Sequence, residues 1–514
     1  MAAEQSTQPQ QPENDVSGTQ STLTTRQKYD IAFLVLAFSC VVSAMTLVVG
    51  TGAVVVKSVG GDVTLTPFAL GLFFLGMSFV SVAFTPWVFK NYGRHIGFWC
   101  GICMANLGVL LSCIGLFYSS TVLVLVANIF MGAGSGIGMY LRFAAMEVVP
   151  TNFQSKAMTW VLCGGCIASF AGPEAAHATV GKFGDEPNMQ HFGVFVVAAC
   201  FHFAQALFVY MVHFPSPIEE QIKQNRIQSE MEKRQQEQGR DVERLPVPNG
   251  TEELRISSAP KELRLILKSP EFILPVCLSI LTWAIMAMPM SIFRLAMGEV
   301  GFSSRASLTV IEFHFLSMYS PGFFSGTFIK TQGVIKAAGV ALVMFLGATL
   351  VHVLFTNDNK DDIVAWYVGL MLLGVGWNFG FSSASMWVTR SYRAAPELKA
   401  KVQAANEGVV FFFSGLLIFS TGYIYSLGGS GIVGWHTLNF VIFALIGAFV
   451  VVVTAAVVMM RDEKTAVQHS ELGTPTTVAS QSQLREGHEI HNMNAVHEMH
   501  QVHDRHEMHE ILEA

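Results

Sequence analysis

Charge is what this chain has least of. Only 13% of its 514 residues are charged, against about 25% in an ordinary soluble domain. The net charge of −6 provides no basic field for a nucleic acid. Several chemical signatures are absent as well. There is no Walker-type phosphate loop, no nucleophile elbow and no zinc-hydrolase helix, which argues against an ATP-driven pump or an intramembrane enzyme. No cofactor is therefore expected. Residues 1–24 are polar and rich in Gln, Ser and Thr, without the apolar core of a cleavable signal peptide. They read as a cytosolic tail, with the first membrane helix as its own anchor. The eight Cys lie mostly in apolar runs. Cys100 with Cys103, and Cys163 with Cys166, form CxxC pairs lacking a polar setting or a second ligand pair. They read as packing residues, not redox or zinc sites. The closing residues His509–Ala514 carry no retention or peroxisomal address, so the plasma membrane is the default expectation.

What is abundant is apolar length. Hydrophobic residues make up 51% of the chain, with 40 Phe and 45 Gly, and Gly is tolerated in membrane helices because it lets them pack closely. A spanning helix needs about 20 mostly apolar residues. Six candidate spans run Ile31–Val56, Leu65–Phe89, Ile96–Phe117, Val122–Met146, Ala157–Val180 and Phe192–Phe214. Six more run Phe272–Met297, Leu308–Phe328, Val334–Phe355, Ile363–Val388, Val402–Leu427 and Val433–Met460. The expected fold is an all-α polytopic membrane protein of twelve transmembrane helices in two six-helix halves. Its expected domains are a cytosolic tail (1–28), a first half (29–214), a charged cytosolic loop (215–268), a second half (269–460) and a His-rich cytosolic tail (461–514).

Orientation follows from the cations. With a cytosolic N-terminus, the inside connections carry Lys90, Arg94, Lys156, Lys330, Lys336, Arg390, Arg393, Lys399 and Lys401. The outside ones carry only Lys57, Lys182, Arg305 and Lys360. The excess places both termini and the central loop in the cytosol.

The halves repeat each other weakly. Gly132, Gly134 and Gly138 in the fourth span recur as Gly374, Gly376 and Gly380 in the tenth. Each set is followed by a proline, Pro150 or Pro396, and then by a cation, Lys156 or Lys401. A parallel repeat of six spans is the construction of carriers that rock about a site between their halves.

Phe89-Lys90-Asn91-Tyr92-Gly93-Arg94-His95, between the second and third spans, resembles the signature loop of the major facilitator superfamily. Gly93 and Arg94 fit that loop, and Lys90 stands where its Asp is expected. The fifth-span run Gly164–Pro173 is similar to the Gly-rich, Gly-Pro-ended motif of exchangers, in which Pro173 bends the helix. Asn128 occupies the place of the proton-linked Arg of the fourth-span motif. A narrower resemblance, to a bacterial branch that includes riboflavin-uptake carriers, rests on four stretches. These are Arg142–Ala145, Ala157–Gly165, Gly376–Phe379 and Lys401–Glu407, with Thr389 and Tyr392 between the last two. Protozoan riboflavin carriers are similar facilitators of this size. The resemblance implies uptake of riboflavin or a similar heterocycle by alternating access.

Ionisable groups in hydrocarbon are costly, and so are functional candidates. Arg142 in the fourth span either contacts substrate or forms a structural pair with Glu147 or an acid of another helix. Glu174 and His177 share a helix face at i and i+3. They are candidates for proton coupling, or else residents of a wet vestibule. Glu312 and His314, two apart, point in different directions, and Glu312 is the substrate candidate of the two. Arg294 ends the seventh span as an interfacial residue. Trp160, Trp377 and Phe379 offer aromatic faces, and Asn378 a donor and an acceptor, for a flavin ring. Gly93, Arg94, Pro173, Arg390, Lys401, Asn406 and Glu407 are the gating candidates, with Glu407 facing Arg390 or Lys401.

Past Met460, His488, His491, His497, His500, His503, His506 and His509 fall on a three-residue grid. The grid reads as a solvated low-complexity tail, with a metal-sensing tail as the alternative; no metal site is assigned. Besides the uptake carrier, two functions stay open: a proton-linked exporter of drugs or organic ions, and a carrier-derived nutrient sensor or metal-regulated protein. The partners expected are a small solute and the lipid bilayer, with a monomer as default.

Overall fold

The computed structural model describes residues 22–150, 153–214, 261–359, 361–393, 395, 398–429 and 431–471. Among these, every extended regular element is a helix. The first half contains α1 (Thr25–Ser58), α2 (Phe68–Phe79), α3 (Thr85–Phe117), α4 (Thr121–Gly138), α5 (Leu141–Glu147), α6 (Gln154–Thr179) and α7 (Phe192–Met211). The second contains α8 (Pro270–Val300), α9 (Ser304–Tyr319), α10 (Gly322–Gln332), α11 (Val334–Leu354), α12 (Val364–Val388), α13 (Lys399–Leu427) and α14 (Gly431–Glu471). Residues 1–453 form one compact unit, to which the packing below belongs; Thr454 onward forms another. Most of the expected central loop and His-rich tail, as well as Pro396 and Lys360, lie outside the described residues.

The ends of the helices are written locally. Thr24 caps α1 in a reciprocal box with Gln27, and Lys57 sits in the last turn, where a cation suits the helix dipole. Ser120 and Ser303 cap α4 and α9 through their hydroxyls. Pro270 opens α8, and Gly301, in the left-handed region at φ 104°, closes it.

Among the described residues, nine segments are long and apolar enough to cross a membrane. One of them, Val63–Phe117, runs 55 residues. At 1.5 Å per residue it is about 80 Å long, far beyond the ~30 Å hydrocarbon core. It passes through a π-helical turn at Val80–Phe84 and breaks at Gly93, whose φ of 82° and ψ of 175° reverse the chain. It is therefore two spans. The Gly-rich α6 and the broken pair α9–α10 complete the twelve.

Two spans expected to be continuous are interrupted. The fourth divides at Met139–Tyr140 into α4 and α5, so Arg142 stands in the first turn of a short separate helix. The eighth divides at Ser320–Pro321, where the proline cannot donate the helical hydrogen bond.

The glycine repeat is a packing repeat. A methyl group on Gly132 would collide with the Phe73 carbonyl of the second span, and one on Gly374 with the His314 carbonyl of the eighth. Gly134 abuts Gly101 in the third span, and Gly376 abuts Phe345 in the ninth. Gly138 abuts Val41 in the first, and Gly380 abuts Thr282 in the seventh. The same three glycines thus seat the fourth and tenth spans against matching neighbours. The halves meet along α1 and α8, α2 and α13, and α6 and α9. These are spans 1/7, 2/11 and 5/8, the pairing that a two-fold relation between parallel repeats generates.

Candidate functional site

The surface between the halves holds three layers of side chains. The near end of the bundle is here the end where α1 begins, and the far end is where α1 finishes.

At the far end three polar links join the halves. Lys57 Nζ lies 3.5 Å from Glu299 Oε1. Glu299 also accepts from Tyr425 OH at 2.6 Å and from the Gly431 amide at 2.7 Å. Arg294 donates to the Gly50 carbonyl at 2.8 Å, to Ser304 Oγ at 2.6 Å and to Ser307 Oγ at 3.2 Å. Arg305 grips both oxygens of Glu174 at 2.8 and 2.6 Å. Arg294 is therefore not interfacial as its position in the sequence suggested. It is buried, with neutral oxygens in place of water. His191, just ahead of α7, is kept neutral. Burial first, and the charge of Arg294 second, push it down to about 4.

Glu312, on α9 with Arg305, is buried, and its Oε1 has no partner among the described residues. His177 is exposed in the last turn of α6. His314 is fully buried on another face of α9, with Nδ1 2.8 Å from the Leu370 carbonyl oxygen. The separation of Glu312 from His314 follows their two-residue spacing.

The middle layer is aromatic. Trp377 stacks on Phe381 with ring centres 5.2 Å apart and planes at 14°. Trp283 meets Phe74, Trp377, Phe381 and Phe411 edge-on at 5.0 to 5.7 Å. Tyr319 approaches Trp377 from α9. Offset and edge-on arrangements are the favoured geometries for such rings. Asn378 donates to the Met318 carbonyl at 2.7 Å. Its Oδ1, and the indole N–H groups of Trp283 and Trp377, have no partner among the described residues. Trp160 is not part of this layer. It is exposed on the α6 face that also carries Ile167 and Phe170, and nothing brings it to the cluster.

At the near end the central contact is ionic. Arg142 Nη2 lies 2.8 Å from Glu407 Oε1, with side-chain exposures of 6% and 9%. The guanidinium also lies 4.8 Å from the Phe143 ring centre and 5.5 Å from that of Phe381. One turn from Arg142, Glu147 pairs with Arg94. The alternative of an Arg142–Glu147 pair is thereby replaced: Arg94 occupies Glu147, and Arg142 reaches across to α13. The cation at Glu407 is Arg142; Lys401 is exposed and Arg390 is half-buried just past α12. Ser78 Oγ adds a 2.8 Å bond to the Gly408 carbonyl. Asn406 is buried, with its Oδ1 unpartnered among the described residues. Pro173 lies inside α6, one residue before Glu174.

Sequence reasoning missed Trp283, Phe381, Phe411 and Tyr319, as well as Arg305 and Glu299. Aromatic identity carries no signal in a chain with 40 Phe. A faint signal existed for Arg305. It is a cation near the start of an apolar span, and a span away from it lies an acid without a partner on its own helix.

The family model for the Major Facilitator Superfamily matches residues 32–419. Among curated proteins, the riboflavin transporter RfnT of Brucella anthropi is 24% identical over 434 residues, covering 83% of this chain and 95% of that protein. An uncharacterized MFS-type transporter of Bacillus subtilis, YddS, is 23% identical over 79% of this chain and 88% of its own length. Among solved structures, the xylose transporter XylE of E. coli, in a partially occluded inward-open conformation, superposes with a TM-score of 0.56. It is 13% identical and covers 82% of this chain and 97% of its own. The nucleoside transporter NupG gives a TM-score of 0.53 at 12% identity, covering 85% and 99%.

Proposed function

The chain belongs to the Major Facilitator Superfamily, and from that premise we propose that it carries riboflavin, or a closely similar heterocycle, into the cell by alternating access. That it is a multi-pass secondary transporter and not an enzyme follows from the family. The solute is our own reading. The observation that carries it is the similarity to a riboflavin transporter along 95% of that protein's length. The aromatic layer supports it, since a flat ring system needs faces to stack on and edge groups to orient it.

In this reading Trp377, Asn378 and Arg142 border the solute, with Glu312 toward the far end, and Trp160 is the weakest member of the set. Glu174, with His177 beside it, takes up the coupling proton. The Arg142–Glu407 pair, with Asn406, is the near gate, braced by Arg94 on Glu147 below Gly93. Arg390 and Lys401 flank its entrance, and Pro173 is the hinge of α6. We place the near end and both termini in the cytosol and the protein in the plasma membrane, because the near-end connections carry the excess of Lys and Arg. Residues 1–28, 215–268 and 461–514 are then cytosolic segments outside the two halves.

The test is uptake of labelled riboflavin by riboflavin-requiring cells that express the chain, with unlabelled competitors. Saturable uptake blocked by flavins and not by unrelated vitamins is expected. No uptake, with surface protein confirmed, would remove riboflavin and leave the transporter class intact.

A further inference from the structure

Trp283 was not a candidate from the sequence, yet it is the hub of the aromatic layer. Four rings meet it edge-on, and one of them, Phe74, belongs to the first half. Its indole N–H is buried without a partner among the described residues. Trp366, Trp387 and Trp435 also bury unpartnered indole N–H groups. The ring contacts of Trp366 and Trp435, however, are all within the second half, to Phe293, Phe302, His352 and each other. Among the described residues, Trp387 has no ring contact that joins it to the aromatic layer. Trp283 and Trp377, with ring centres 5.0 Å apart, are the unpartnered indole donors of the aromatic layer among the described residues; Arg142 Nε, also unpartnered, lies at the near end. Beside Trp377, Asn378 spends its Nδ2 on the Met318 carbonyl, which leaves Oδ1 as the free atom of that amide.

The unpartnered polar atoms of the layer are thus two donors and one acceptor: Trp283 Nε1–H, Trp377 Nε1–H and Asn378 Oδ1. A buried donor or acceptor left unmatched is costly, so a solute that supplies complementary atoms is favoured over one of equal size that does not. The complement is two acceptors and one donor on a planar ring. An imide supplies that set: carbonyl, ring N–H, carbonyl.

We propose that Trp283 is a specificity-determining residue that, with Trp377 and Asn378, selects planar heteroaromatic solutes bearing an imide edge. This deepens the riboflavin reading and rests on it for the location of the site. Separation of the halves parts Phe74 from Trp283 and gives the ring edge access to the indole N–H.

The experiment uses the purified full chain in detergent and measures binding by fluorescence. The probes are riboflavin, its N3-methyl derivative, which lacks the ring donor, and lumazine, a smaller imide that is not a flavin. Wild type is expected to prefer riboflavin to the N3-methyl form by about tenfold, the worth of one hydrogen bond. Trp283→Phe keeps an aromatic ring and removes the N–H. Both probes keep the ring carbonyls that the indole N–H would meet, so Trp283→Phe should weaken the binding of each by about tenfold and leave the preference for riboflavin intact, with folded protein confirmed by a cooperative thermal transition. Wild-type affinity for riboflavin in a folded Trp283→Phe protein would overturn the inference. Binding of lumazine but not riboflavin, with the same response to Trp283→Phe, would overturn the riboflavin reading and uphold the imide site. Wild type that binds none of the three overturns both.

Discussion

Three ion pairs among the described residues cross from one half of the molecule to the other, and the two closest of them differ in their surroundings. Arg142–Glu407 is nearly dry, with side-chain exposures of 6% and 9%. Glu174–Arg305 is bidentate and shorter, yet its members are 48% and 44% exposed. Geometry alone would rank the exposed pair as the stronger. Solvation reverses the order. Water takes over both charges when Glu174 and Arg305 part, so that pair holds the far end only loosely. If Arg142 and Glu407 part, each must find other partners in a medium that solvates charge poorly. The far-end pair is suited to opening and closing, and the near-end pair to holding one arrangement until something replaces a partner.

The largest effect should come from removing one member of the buried pair. Glu407→Ala strands the Arg142 guanidinium, a loss of about 3–5 kcal/mol for a buried pair broken on one side. The expected result is low yield of folded protein and no transport, read by size-exclusion and uptake. Replacing both members, as Arg142→Met with Glu407→Leu, should restore folded protein and still not transport. A folded, fully active Glu407→Ala protein would break the comparison.

Arg294 at the far end sharpens it. This cation is as buried as Arg142 but is held by the Gly50 carbonyl and two serine hydroxyls instead of a carboxylate. Arg294→Met therefore strands no opposite charge. Its cost should be that of lost hydrogen bonds to a charged donor, about 1.5–3 kcal/mol, visible as a lowered thermal midpoint with residual transport. A loss equal to that of Glu407→Ala would mean that burial alone, and not the stranded charge, sets the penalty.

Glu174→Gln should change stability little, because its partner Arg305 is hydrated. Its effect is expected in the pH profile of uptake. If Glu174 takes up the coupling proton, Gln at 174 fixes the neutral form and flattens the profile. A profile identical to wild type would remove Glu174 from proton coupling.

The contrast between the pairs also marks what the sequence could convey. Twelve apolar runs and two sets of three glycines were legible because each is local, and the glycines proved to seat matching spans. Arg142, Glu407, Glu174 and Trp377 could be singled out, because a charge or an amide-flanked Trp in an apolar run is locally conspicuous. Their partners could not be. Arg142 and Glu407 are 265 residues apart, and the nearer Glu147 was an equally good acid until Arg94 was seen to occupy it. Trp283 was hidden for a different reason. Its importance lies in four ring neighbours from three other spans, while its own segment reads as ordinary apolar helix. The break at Met139–Tyr140 was likewise obscured by apolar continuity, whereas Ser320-Pro321-Gly322 carried a local turn signal at the other.

The smallest effect is expected at Lys57. Its Nζ is 3.5 Å from Glu299, at the long end of hydrogen-bond distance, and its side chain is 47% exposed. Glu299 does not depend on it, since Tyr425 OH and the Gly431 amide both donate to the same carboxylate at 2.6 and 2.7 Å. Those two bonds lie within the second half, so Lys57→Met removes the only cation in contact with Glu299 among the described residues yet leaves the carboxylate satisfied. Stability should stay within about 1 kcal/mol of wild type, as for exposed pairs generally, and uptake should persist. The informative case is Lys57→Met combined with Glu174→Gln. Together these remove both charged links at the far end and leave Arg294–Gly50 as the remaining polar link named there. If the far end is held loosely by design, the double variant should fold normally and become more accessible from that side, measured as faster labelling of Cys introduced at Ser307. Unchanged labelling would mean that the helix packing along α1–α8 and α6–α9, and not the ion pairs, keeps the far end shut.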